Sequence, residues 1–166
     1  MLVSLNDLDN DSKVWIYQSD KRLTDEQVIS LKEDLFNFLT DWTSHNVQLY
    51  TSGDVLYNTF VILMVDERFN STGGCSIDKS VHFIEFLESK YGINLLERMN
   101  MAYLDDNNQP GDPLLNIVSL NDLNPLYKDG IINDNTIVFD NLVRKKSDFE
   151  TRWKIPLSQS WHNRFI

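Results

Sequence analysis

A chain of 166 residues that is 42% hydrophobic and 11% aromatic is long enough for one substantial core and short for two, so one domain over 1–166 is expected. Its net charge of −10 is unevenly spread, with +4 on residues 141–166 and −14 on residues 1–140. Nucleic-acid binding, which rests on neutralising phosphates, is not expected for so acidic a body, apart from the basic tail. No run nears the roughly 20 apolar residues of a membrane span, and MLVSLNDLDNDS lacks the features of a signal peptide. With a lone cysteine and hence no internal disulfide, a soluble cytoplasmic protein without membrane insertion is expected.

Residues 1–12 read as a flexible N-terminus. Residues 14–17, VWIY, are β-branched and aromatic and predict a strand buried on both faces. A helix should start at Thr24, because Thr24 and Gln27 form a capping box and Leu23 and Val28 a hydrophobic staple. Val28, Leu31, Leu35, Phe38 and Trp42 then recur every three or four residues, the stripe of a helix covering a sheet. Residues 47–50 and 57–65 predict an antiparallel hairpin, with Gly53 in its turn.

The stretch 59–92 organises the rest. Its apolar run 60–65 ends at Asp66 and Glu67, crosses a loop holding Gly73 and Gly74, and opens a helix at Ser76 that Gly92 should close. Asn94 should cap one further turn, followed by a strand at 99–104. The β-α-β-β-α-β order matches the ferredoxin-like pattern and implies an α+β fold, mainly an antiparallel sheet with helices on one face. After the turn-rich segment 105–113 come a strand at 114–118, a weak helix at 119–128 interrupted by Pro125, and a strand at 136–139. Residues 141–166 read as a short helix and an extended, basic, aromatic tail packed on the acidic body, with Pro156 opposing regular structure.

Cys75 stands at a predicted helix N-terminus, where the dipole favours a thiolate and Gly73, Gly74, Cys75 and Ser76 offer backbone amides to an anion. The competing reading is a small buried residue at a tight crossing, which the general burial of free cysteine favours. Asp66 is the accompanying catalytic candidate, although Asp66 and Glu67 should point to opposite faces and read as solvated strand-end carboxylates. The three histidines, His45, His82 and His162, are far apart, so no metal site and no cofactor is expected. None of the six glycines is followed by lysine, so a P-loop is absent.

VWIYQS, FVILMVDE, GCSIDKSVHFIEFLESKYGINLLERMN, TIVFDNLV and WKIPLSQSWHNRF together resemble a family of short uncharacterised bacterial proteins carried under the name ABC transporter ATPase. The resemblance spans about residues 14–165. The name implies ATP hydrolysis coupled to transport; without a P-loop no ATPase residue carries over. The functional expectation is a non-enzymatic binding or assembly module with a protein partner or self-association through Trp153, Trp161, His162 and Arg164. The alternative is an enzyme or a phosphate- or other anion-binding protein built on the turn around Gly73 and Cys75.

Overall fold

The computed structural model describes residues 1–105 and 114–166. In chain order its elements are β1 (Lys13–Gln18), α1 (Asp25–Asp41), β2 (Thr43–Ser44), β3 (Val47–Gln48), β4 (Tyr50–Leu56), β5 (Phe60–Asp66), α2 (Gly74–Tyr91), β6 (Asn100–Leu104), β7 (Leu115–Ser119), α3 (Leu123–Lys128), β8 (Ile137–Phe139), α4 (Lys146–Arg152) and β9 (Lys154–Pro156). The fold is α+β with antiparallel sheets. β1, β5 and β4 form one sheet in that order, β2 and β3 a small hairpin, and β7, β6, β8 and β9 a second sheet.

The first sheet reproduces part of the ferredoxin-like order: β5 lies between β1 and β4 and is antiparallel to both. The closing strand departs from it. β6 pairs with β7 and β8 instead of the outer edge of β1. The reason lies in β5, whose seven residues are all buried because both its faces are covered. Val61, Leu63 and Val65 pack under α1 and α2 with Leu31, Leu35, Leu39, Ile84 and Leu87, while Phe60, Ile62 and Met64 meet Ala102, Leu115, Phe139 and Trp153 of the second sheet and its connections. A strand alternates its side chains between two faces, so one apolar run supplies both layers. α1 and α2 therefore cover one face, and the second sheet, joined by Phe149 of α4, covers the other. The outer face of that second sheet is closed by Leu120, Leu123, Ile132 and Leu157.

Local chemistry accounts for the boundaries. Thr24 Oγ1 accepts from the Gln27 backbone N–H at 3.1 Å, and Gln27 Oε1 from the Thr24 N–H at 2.9 Å, which is the capping box read from the sequence. Gly92 closes α2 in the left-handed region, with φ of 63°. The β4–β5 turn falls on Tyr57 and Asn58, at φ of 54° and 51°, and not on Gly53, which lies inside β4. Positive φ at two successive residues matches the right-handed twist of the paired strands. No helical turn follows Asn94; the Glu88 carboxylate accepts from the Leu95 and Leu96 N–H groups there.

Residues 1–12, expected to be flexible, are paired: Leu2 bridges Thr51 and the Val3 N–H donates to the Thr51 carbonyl. Leu8 is buried and its carbonyl accepts from Lys146 Nζ at 2.9 Å. The last residues hold more regular structure than Pro156 suggested. β9 is an edge strand beside β8 and ends at Pro156, where a missing N–H costs no ladder bond. The predicted turn at 105–113 lies, from 106 on, outside the described residues.

Candidate functional site

At the end of β5 the two carboxylates take different partners, Asp66 accepting from Arg68 and Glu67 from Thr72. Asp66 is buried, not solvated. Both its oxygens are engaged by Arg68, with Nη2 to Oδ2 at 2.7 Å and Nε to Oδ1 at 3.0 Å, and Oδ2 also accepts the Asp9 N–H. The Arg68 hydrogen bonds hold its carboxyl down to about 2, from an ordinary 3.8. A carboxylate so low in pKa is a poor proton acceptor and serves to anchor the first segment of the chain. Stability tied to Asp66 is present above pH 3.8 and is lost as pH falls toward 2. Asp66→Asn should remove about 2 kcal/mol of stability at neutral pH, measurable as a lower denaturant midpoint.

Two N–H groups of the glycine turn are satisfied from within. Gly73 is the N-cap of α2, which begins at Gly74 and not at Ser76. Ser76 Oγ accepts the Gly73 N–H at 2.7 Å, and Glu67 Oε2 accepts the Thr72 N–H at 2.8 Å. A carboxylate therefore already sits on this turn, itself paired with Lys13 at 2.9 Å. Cys75 is exposed, so the reading of a buried crossing residue does not hold. His45 Nε2 comes within 3.7 Å of where a Cβ on Gly73 would stand.

The aromatic residues of the last segment divide. Trp153 is buried against Phe60, Phe139 and Phe149, with ring centroids 4.8–5.0 Å apart, and His162 is buried against Trp161. Trp153 belongs to the core between the sheets, whereas His162, though buried, lines a cleft beside β1. Arg164 is exposed, and Trp161 is half-buried.

Trp161 opens onto the concavity that the sequence reading missed, a cleft of about 520 Å³, within the size range of small-ligand sites, roughly 300–1,000 Å³. It runs along the outer edge of β1, where the closing strand of a ferredoxin-like sheet would lie. Leu95, Leu96 and Arg98 border it on one side and Leu142, Val143 and Arg144 on the other. Half-burial of Trp15, Ile16 and Tyr17, predicted to be buried on both faces, follows from this opening.

Most polar side chains along the cleft are donors, and the Glu97 carboxylate, which accepts the Met99 N–H at 2.8 Å, lines it as well. Trp153 Nε1–H can only donate, and it donates to Asn141 Oδ1 at 3.0 Å. Asn141 Nδ2 must then donate, to Gln18 Oε1 at 2.9 Å. Gln18 is 7% exposed, and this relay leaves its Nε2 without an acceptor. Trp161 Nε1, another donor, is equally unpartnered; among the described residues only Ser12 Oγ shares that condition. Arg98 and Arg144 line the same walls, and no carboxylate pairs with either among the described residues. Arg98 lies close enough to Tyr17 that its charge opposes the upward push of burial on the phenol. The sequence signal was present in Gln18, Asn141 and Trp153, but nothing in their spacing joins them.

His162 also lines the cleft, where burial holds its imidazole down to about 4, from 6.5, and Nδ1 lies 2.6 Å from Ser160 Oγ. Between pH 6.5 and 4 the unfolded chain takes up a proton that the folded chain resists. Stability should be full above pH 6.5 and decline toward pH 4, by about 3 kcal/mol. Denaturant midpoints across that range should show the decline, and His162→Gln should flatten it.

Among the described residues no helix is long and apolar enough to cross a membrane, and no group of His, Cys, Asp and Glu is placed to hold a metal ion. Compared with protein-family models, curated proteins and solved structures, the chain has no match.

Proposed function

We propose that the protein is a binding module whose ligand is an acceptor-rich anion held in the cleft along β1. The observation that carries this reading is that Gln18 and Trp161, which line a cleft that also holds Arg98 and Arg144, each carry a buried donor without a partner, Nε2 and Nε1. A buried polar group without a partner costs about 1–3 kcal/mol, and a carboxylate or phosphate oxygen in the cleft would recover that cost while meeting the guanidinium charges. Ile16, Leu96, Leu142 and Trp161 supply the apolar remainder of the walls. The anion-binding expectation thus moves from the turn around Gly73 to this cleft, because Glu67 and Ser76 already occupy two of that turn's N–H groups.

Thermal unfolding in the presence of organic mono- and dicarboxylates and their neutral amides tests the reading. At 100 times Kd a ligand adds about 2.7 kcal/mol, which raises Tm by roughly 5–10 °C in a domain of this size. The acids should stabilise and the amides should not, and the double variant Arg98→Gln, Arg144→Gln should abolish the difference. Equal shifts with acids and amides, or an undiminished acid effect in the double variant, would contradict the proposal.

A further inference from the structure

Whether the anion is a free small molecule or part of a chain is decided by the backbone of β1. The Val14 N–H donates outward to the Arg144 carbonyl at 2.9 Å, whereas the Ser19 N–H turns inward to Thr59. Alternation along an antiparallel ladder then places the N–H and C=O of Ile16, with the N–H of Gln18, on the outward side. The second sheet does not pair with this edge. An extended peptide completes such an edge by main-chain hydrogen bonds, and pockets for its side chains give selectivity.

The ladder is closed at one end. The Lys13–Lys145 bridge and the bond from the Lys146 N–H to the Ser12 carbonyl carry the chain across it. A guest strand cannot continue past Val14 and must end there. The charge at that end is the guanidinium of Arg144, which has no carboxylate partner among the described residues and would repel an amino terminus and attract a carboxyl terminus.

Building on the anion-binding reading, we infer that the cleft accepts the C-terminal residues of a partner protein as a short strand antiparallel to β1, paired through Ile16, with the terminal carboxylate at Arg144. The cleft volume suits a few residues only, and the antiparallel direction is that of the β1–β5 and β4–β5 pairs.

The test uses the full chain and a pool of acetylated tetrapeptides with free C-termini, beside the same pool as C-terminal amides. The free acids should bind and the amides bind at least about tenfold more weakly. In Arg144→Gln, an exposed position, the two pools should become equivalent. For a bound sequence, N-methylation of alternate peptide nitrogens should abolish binding at one set of positions and spare the other, and the Ile16 amide should exchange more slowly in the complex. Binding of simple carboxylates without binding of any peptide, or N-methylation without alternation, overturns strand addition and leaves the anion-binding reading intact. Failure of both peptides and carboxylates overturns both.

Discussion

Replacing Trp153 with alanine is expected to destabilise the protein by about 3–5 kcal/mol, the range for deleting a large buried aromatic side chain, and to lower Tm by roughly 10 °C or more. The ring fills the centre of the layer between the two sheets, in contact with Tyr57, Phe60, Phe139 and Phe149. Its loss leaves a cavity whose walls belong to β5 and β8, neither of which can collapse inward without breaking pairing on its other side. The indole N–H matters separately. Trp153→Phe keeps most of the ring contacts but leaves Asn141 Oδ1 without its donor, so it should cost about 1–2 kcal/mol. It should also free the Asn141 amide, and with it the Gln18 amide, to flip. Denaturant unfolding of both variants measures the two effects, and comparable losses would show that packing is not the larger one.

Gly53→Ala carries the second large effect, expected to exceed about 3 kcal/mol because the neighbour that must yield is main chain. A Cβ at this position would press on the Ile62 carbonyl oxygen of the adjacent strand and stand 2.8 Å from Leu39 Cδ1 of α1. Leu39 can move; the Ile62 carbonyl is held in the sheet by the β4–β5 register, in which Gly53 lies opposite Leu63. Leu39→Ala in the same chain should therefore fail to rescue Gly53→Ala. Recovery of the single-variant stability in the double variant would place the conflict with the helix and not with the strand.

That glycine shows where sequence reading reached and where it stopped. Capping at Thr24 and Gln27 and the stripe on α1 are local, since every partner lies within a few turns, and they were legible. Gly53 was read as a turn because a glycine between two apolar runs has that local meaning; its actual reason, the approach of α1 to β4, is a contact between elements. The run 60–65 reads as a buried strand, but not as one whose two faces are covered by helices and by a second sheet. For the same reason the departure of β6 from the edge of β1 could not be read, and the cleft depends on that departure. Its donors come from Gln18, Asn141 and Trp161, more than a hundred residues apart at the extremes. Cys75 and the glycine turn stand out because their chemistry is contiguous; in the fold the Thr72 and Gly73 N–H groups meet Glu67 and Ser76.

Acid titration and core substitutions probe the frame, while the cleft makes the central claim. Its most direct test is a two-dimensional proton–nitrogen spectrum of the full chain titrated with a dicarboxylate and, separately, with the acetylated tetrapeptide pool. The indole N–H of Trp161 and the side-chain amide of Gln18 should shift together and saturate with one affinity, while the indole N–H of Trp42, which already donates to the Ser76 carbonyl at 2.9 Å, stays in place. Shifts confined to residues 72–78, with Trp161 and Gln18 unmoved, would contradict the cleft as the binding site and return it to the glycine turn.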